Sequence, residues 1–317
     1  MLLKNTLRLT FSNASNIWKL LLYRFLCLLC VLGLTTVVGW PIINVLIKDN
    51  FFVNLQNSFE SMLFNLSFEN LFVTIDSTFG NLTSIISSHN LTVQAILCGV
   101  FVLLIISFLE EYAKMALQQN LIGYMSSLTR YGFTNAYVSN SYVAGFGGST
   151  LMALAKVITT LPINVLIWIG AYWFASALHP KIGVIAIILT FFLLIILLSI
   201  KETLFCNWKP AYIIHGESVF KSLKMAFKAL WKNILKVFSC YLVLVLCMLM
   251  LNIFALNFTA GVGLLFTLPL TTLLIAIAGD VAYFEALGMR YYIDSEHIIT
   301  PKKLEERDKF CKLVDII

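Results

Sequence analysis

Two ionisable residues interrupt otherwise apolar stretches of the sequence and are the first candidates for chemistry. Lys156 lies five residues into the run 151–178, and Asp280 lies eight residues before the end of the run 263–288. A charge at the centre of a bilayer costs at least about 2.5 kcal/mol, so each one needs a reason. Their similar depth predicts a pair, which Glu285 could join. Such a cluster suits substrate or ion coupling, but a structural pair between helices or snorkelling of the lysine is favoured.

Sequence motifs of hydrolysis, nucleotide binding and metal binding are missing. The stretch GFGGST at 145–150 lacks the lysine of a phosphate-binding loop, and neither HExxH nor GxSxG occurs. Cys27 and Cys30 form a CxxC inside an apolar run without a second pair or a nearby histidine, which favours small packing residues over a metal site. We therefore predict a protein that is not an enzyme and that has no cofactor, no metal and no nucleic-acid partner.

The composition indicates a membrane protein. Hydrophobic residues make up 60% of the 317 residues, charged residues only 12%, and the mean hydropathy is +0.89. Soluble globular domains are roughly 45 to 50% apolar. A membrane protein must pair its backbone polar groups internally, and long apolar runs do so as helices.

Six apolar runs are long enough to cross a hydrocarbon core of about 30 Å as helices. The predicted spans are 25–47, 91–109, 151–178, 182–200, 234–256 and 263–288. The fold prediction is an all-α integral membrane protein, a single polytopic membrane domain over 1–317, with interfacial amphipathic helices beside the spans.

The distribution of lysine and arginine predicts the orientation, because cytoplasmic flanks carry the excess of basic residues. Of the 22 basic residues, only Lys48 and Lys181 fall on the side opposite to the termini. Both termini are therefore predicted in the cytoplasm of a cell whose cytoplasmic membrane holds the protein. The connecting segments are predicted as follows: 1–24 cytoplasmic and interfacial, 48–90 extracytoplasmic, 201–233 a cytoplasmic basic loop, and 289–317 a cytoplasmic tail.

A stripe of lysines precedes the fifth span and predicts an interfacial helix. At 100° per residue its members share one sector, while Phe220, Phe227 and Trp231 lie in another. Anionic lipid headgroups attract each lysine near the surface by about 1 kcal/mol. The predicted headgroup contacts are Lys221, Lys224, Lys228, Lys232 and Lys236.

A short pattern suggests an internal repeat. A cation stands three residues before a phenylalanine at Arg8, Arg130 and Lys224, and each instance precedes a pair of spans. The pattern predicts a unit of one in-plane helix and a helical hairpin, used three times. A chance match in a biased composition explains it as well.

Prolines fall inside three of the predicted spans, at Pro41, Pro162 and Pro269. Proline frees a backbone carbonyl and kinks a helix, and breaks of this kind line the central site of many transporters. Membrane helices also accept proline for ordinary packing. Both interpretations stay open from the sequence.

The segment 48–90 carries apolar residues at helical spacing in two stretches and predicts two amphipathic helices. Their phenylalanines could cover the entrance for a lipid or another substrate. Alternatively they pack on the outer interface or on the bundle.

The segment WKPAYIIHGESVFKSLKMAFKALWKNILKVF, from 208 to 238, resembles a loop of poorly characterised bacterial six-span families, among them the membrane domain attached to some glycerophosphodiesterases. The resemblance covers about thirty residues and the number of spans. It implies a six-span membrane domain without catalytic residues, because the hydrolase of that family is a separate domain.

These observations predict a multi-pass membrane protein of transporter-like or lipid-handling type. The alternative is a non-catalytic scaffold or a subunit of a larger membrane complex. Anionic lipids, and a protein partner in the second case, are the predicted partners.

Overall fold

Helices dominate the computed structural model, which describes residues 2–64, 68–126, 146–259, 261–293 and 297–300. The helices are α1 (Leu2–Ser12), α2 (Ser15–Val38), α3 (Trp40–Lys48), α4 (Phe51–Phe64), α5 (Phe68–Ser88), α6 (Thr92–Ser126), α7 (Phe146–Ile182), α8 (Val184–Phe205), α9 (Trp208–His215), α10 (Val219–Leu230), α11 (Ile234–Phe258) and α12 (Leu264–Leu287). Strands β1 (Tyr291–Tyr292) and β2 (Ile298–Ile299) pair antiparallel.

Within the described ranges, six helices are long and apolar enough to cross a membrane: α2, α6, α7, α8 with its continuation α9, α11 and α12. Large apolar side chains on their outer faces are open to the surroundings, as at Leu166 and Trp173. Such surfaces suit lipid rather than water. The prediction of an all-α, multi-pass membrane fold is confirmed.

The spans pack as neighbours around α12. More than half of the most apolar stretch of α12 is buried, whereas none of the corresponding stretch is buried in α2 or α6. Helix α12 contacts α1, α2, α6 and α11. The other contacts run from α6 to α7, α7 to α8 and α8 to α11. Consecutive spans thus form the pairs α2–α6, α7–α8 and α11–α12, as a repeated hairpin requires. The repeat itself stays a prediction, since its second instance at Arg130 lies outside the described residues.

The first span ends earlier than predicted. Helix α2 begins at Ser15 and stops at Val38, and after Gly39 the chain restarts as α3 with Pro41 in its first turn. Proline lacks the amide hydrogen that would continue a helix, but the first turn leaves that hydrogen unused. The predicted span 25–47 is therefore two helices.

The second span runs far past its predicted end at residue 109. Helix α6 continues to Ser126, and its 35 residues measure about 52 Å, well beyond the roughly 30 Å of hydrocarbon. The added turns are not solvated, since Met115, Leu117 and Leu121 are buried. Residues that looked like a cytoplasmic flank are part of the bundle.

Pro162 and Pro269 do not break their helices, which agrees with the alternative of ordinary packing. Both prolines lie inside helices that run without a break, α7 and α12. Neighbouring groups in a membrane bundle can satisfy the backbone that proline frees, so a helix continues through it.

The segments outside the spans are also helical. The two helices predicted in 48–90 are confirmed as α4 and α5. Helix α1 does not merely lie on a surface, because Leu2, Thr6 and Leu9 are buried against the protein. Both described ends of the chain meet there: Asn5 Nδ2 donates to Tyr291 Oη at 2.7 Å. An even number of spans places them on the same side.

Candidate functional site

A buried carboxylate, Glu111 on α6, organises the most highly charged part of the interior. Its Oε2 lies 2.7 Å from Lys209 Nζ and 4.0 Å from Lys156 Nζ, and its Oε1 accepts from Lys114 Nζ at 3.1 Å. The Lys209 side chain is 1% exposed. One carboxylate therefore faces three ammonium groups from α6, α7 and α9.

A second ion pair lies beside the first. Lys201 Nζ is 2.6 Å from Glu202 Oε1 and donates to Asn164 Oδ1 at 2.9 Å, which joins α8 to α7. Lys156 has only long contacts: its Nζ is 3.5 Å from the Phe205 carbonyl, in addition to the 4.0 Å from Glu111. Lys156 is thus the least satisfied cation of the cluster.

These side chains line an internal cavity of about 70 Å³. Its charged lining consists of Glu111, Lys114, Lys156, Lys201, Glu202 and Lys209. Four ammonium groups face two carboxylates, so the lining has an excess of two positive charges when all six are ionised. Burying a charge costs several kcal/mol unless an opposite charge compensates it.

The backbone brings the cavity walls unusually close at one position. A Cβ on Gly279 would lie 2.9 Å from the Cys206 carbonyl oxygen, between α8 and α9. Real Cβ atoms do not approach a backbone oxygen so closely, so only glycine allows α12 to pack there. The close approach joins α12 to the turn between α8 and α9, three residues before Lys209.

The predicted pair between Lys156 and Asp280 is not formed. Lys156 faces Glu111, whereas Asp280 Oδ1 accepts from Gln118 Nε2 at 2.8 Å. Asp280 is fully buried, and among the described residues its Oδ2 has no hydrogen-bond partner. Gln118 also lines the cavity, so Asp280 stands one residue behind the cavity wall. The orientation of α12 about its own axis directs the Asp280 carboxylate towards α6 rather than α7.

The third predicted intramembrane candidate, Glu285, lies elsewhere and does not join the cluster. Its Oε1 accepts from Tyr291 Oη at 3.1 Å and contacts Asn5 Nδ2 at 3.5 Å. Burial and the neighbouring Glu285 carboxylate raise the pKa of the Tyr291 hydroxyl, which therefore stays a donor. This network attaches α1 to the end of α12.

A separate charged network joins α2, α6 and α12 on the other side of α6. Arg24 Nε donates to Glu110 Oε2 at 3.1 Å, and Thr272 Oγ1 lies 3.1 Å from Glu110 Oε1. Successive helix residues point in different directions, so Glu110 faces this network while Glu111 faces the cavity.

The predicted helix breaks do not build the cavity. Pro41 starts α3, and neither Pro162 nor Pro269 is part of the cavity wall. Of the phenylalanines in 48–90, Phe52 on α4 and Phe79 on α5 are exposed, whereas Phe51 is buried.

The lysine stripe forms an exposed surface away from the cavity. All five of its lysines are exposed, and Lys232 Nζ also lies 3.5 Å from the Ala286 carbonyl at the end of α12. Helix α10 carries only three of them, since it ends at Leu230.

Helix α10 has three faces rather than the two predicted. Ser222, Ala226 and Ala229 are buried against the protein, whereas Phe220 and Trp231 are 84% and 72% exposed. The predicted apolar face is therefore split: Phe220 and Trp231, which follows the last residue of α10, stand outward next to the lysines, whereas Phe227 packs against the core. Aromatic and basic residues side by side are typical of a membrane interface.

Five members of the cluster escaped the sequence analysis: Glu111, Lys114, Lys201, Glu202 and Lys209. All five lie within nine residues after an apolar run, where charged residues are usually solvated. One signal was available, because Glu111, Lys114 and Gln118 follow helical spacing in a stretch without glycine or proline up to Gly123. Lys114, Lys156, Lys201 and Lys209 therefore count less towards the orientation than predicted.

The fold and the site define a multi-pass helical membrane protein, with six candidate spans in its described part and a cavity that four lysines and two glutamates line. Within the described part of the chain, no group of three or more histidine, cysteine, aspartate or glutamate side chains could hold a metal ion. The chain matches no known protein-family model, and comparison with curated proteins and with solved structures likewise finds no match.

Proposed function

We propose that this protein is a transporter-like or lipid-handling membrane protein whose cavity takes up an anionic group, a phosphate or a carboxylate. The observation that carries this proposal is the excess of lysine over glutamate in the lining of the cavity around Glu111. Two carboxylates do not balance four ammonium groups, which favours an anion that supplies the missing compensation. Lysine is a common phosphate ligand because its ammonium group acts as a point charge.

The size of the cavity limits what it can hold. About 70 Å³ accommodates a few waters or one small anionic group, since a water occupies about 30 Å³ in the liquid. The remainder of a larger substrate would extend outside. A free anion and the headgroup of a lipid share this chemistry, and both remain candidates.

The orientation and the cellular membrane belong to the same proposal. The basic residues outside the bundle, including the exposed stripe from Lys221 to Lys236, support termini in the cytoplasm and contact with anionic lipid. Lys114 of α6 and Lys201 of α8 line the cavity, and the excess of basic residues in these flanks supports a position nearer the cytoplasmic side. The resemblance to the membrane domain of glycerophosphodiesterases stays a prediction.

The test is transport by the purified chain in vesicles of phosphatidylcholine and phosphatidylglycerol. One arm measures uptake of radiolabelled inorganic phosphate. The other measures transfer of a phospholipid with a fluorescent headgroup between leaflets. Lys156→Met removes one excess charge, and Lys224→Met removes a lysine of the exposed stripe as the control.

We expect activity in one arm for the natural sequence and for Lys224→Met, and its loss in Lys156→Met. The arm that responds identifies the source of the anionic group. Absence of activity in both arms would contradict the proposal and favour a scaffold or a subunit of a membrane complex. Equal activity in the two variants would remove the cavity from the transport path.

A further inference from the structure

A lateral groove between α2, α6 and α12 lies on the opposite side of α6 from the cavity. Its volume is about 570 Å³, within the range of about 300 to 1,000 Å³ common for ligand sites. Apolar side chains form most of its walls, among them Leu28, Val31, Ile106 and Leu268. Leu28 and Ile106 are about half exposed, so the groove opens sideways towards the lipid.

One end of the groove is polar. Arg24 and Glu110 form an ion pair there, and Thr272 hydrogen-bonds to Glu110. Among the described residues, the buried Nη1 of Arg24 has no hydrogen-bond partner. A guanidinium nitrogen that is shielded from water and unpaired needs an oxygen acceptor, and the apolar walls supply none.

The length of the groove matches one leaflet. It follows α2 from Arg24 to Thr35, eleven residues further on or about 16 Å, which is half of a hydrocarbon core of about 30 Å. The groove is therefore long enough to hold one acyl chain of a single leaflet, with its polar end at Arg24.

We propose that this groove is a binding site for one glycerophospholipid of the leaflet that adjoins Arg24. One acyl chain fills the groove along Leu28 and Val31, and an ester or phosphate oxygen accepts a hydrogen bond from the guanidinium group of Arg24, which lines the groove. The lipid thereby completes the polar network that joins α2, α6 and α12. This inference concerns a surface separate from the cavity and does not depend on transport.

The test is photolabelling in phosphatidylcholine–phosphatidylglycerol vesicles that contain a phospholipid with a diazirine in its acyl chain. Mass spectrometry then locates the labelled peptides. Val31→Trp and Ile106→Trp fill the groove with a larger side chain. Leu29→Trp and Leu104→Trp are matched controls on the same two helices, exposed but outside the groove.

We expect labelling to concentrate on 27–35 of α2 and 102–109 of α6, and each groove variant to lose most of it while the controls keep it. Arg24→Lys preserves the charge but removes the planar donors, and it should lower the number of phospholipids retained in native mass spectrometry by one. Even labelling over all lipid-facing helices, with equal yields in groove and control variants, would show an ordinary lipid shell and overturn the proposal.

Discussion

Lys209 Nζ and Glu111 Oε2 lie 2.7 Å apart, with the lysine side chain almost completely buried. An exposed pair offers a direct comparison: Lys221 Nζ and Glu217 Oε1 are also 2.7 Å apart, but the side chains are 60% and 39% exposed. Because the two N–O distances are equal, a difference in stability between variants of the two pairs reports the effect of burial.

Removing one partner of the buried pair should destabilise the protein far more than removing one partner of the exposed pair. Glu111→Gln leaves three ammonium groups without their shared carboxylate, so we expect a loss of about 3 to 5 kcal/mol in the free energy of unfolding. Glu217→Gln should change it by less than about 1 kcal/mol. Denaturant unfolding in detergent micelles measures the free energy of unfolding of both variants. Similar losses would show that the buried Glu111 contacts stabilise the protein no more than the exposed pair does.

Any side chain at position 279 should destabilise the protein. Gly279→Ala places a methyl group against the Cys206 carbonyl, forces α12 away from the turn between α8 and α9, and should destabilise the protein by at least about 1 kcal/mol. Gly170→Ala is the control, because a Cβ at this position of α7 meets nothing within 4 Å. That change should be neutral or stabilising by up to about 1 kcal/mol through helix propensity. Equal midpoints of thermal unfolding for the two variants would contradict the close approach.

The exposed lysine stripe should control how the chain inserts. Glutamate at positions 221, 224 and 228 turns attraction to anionic headgroups into repulsion, and we expect a fraction of the molecules to insert poorly or with inverted topology. Cysteines introduced near Ser222 report the topology through a reagent that cannot cross membranes. The matched glutamine variant should show a smaller effect. If the glutamate variant inserts like the natural sequence, the stripe has no part in orientation.

Hydropathy was sufficient to predict the class of fold. The burial of α6 beyond its apolar run was not predictable in the same way, because Glu111 and Lys114 look like solvated residues until neighbouring helices cover them. Glu111 compensates the charge of Lys114 and is itself approached by Lys209 and Lys156. These two lysines are distant in sequence and reach Glu111 only through tertiary packing.

The error at Lys156 and Asp280 has the same origin. Depth along a helix can be read from sequence, but a pair also requires that both side chains face each other. Rotation about the axis of α12 depends on contacts such as that of Gly279 with Cys206. Pattern and composition do not contain this information, whereas the exposure of the lysines on α10 follows from periodicity alone.

The central claim is that the cavity around Glu111 and Lys156 binds an anionic group. Thermal unfolding of the purified protein with increasing inorganic phosphate, at constant ionic strength with chloride as the balancing anion, tests it most directly. A ligand at about one hundred times its dissociation constant stabilises the folded state by about 2.7 kcal/mol. We predict that phosphate raises the unfolding midpoint of the natural sequence and of Lys224→Met, but leaves that of Lys156→Met unchanged. No rise for the natural sequence, or an equal rise in all three proteins, would contradict the account.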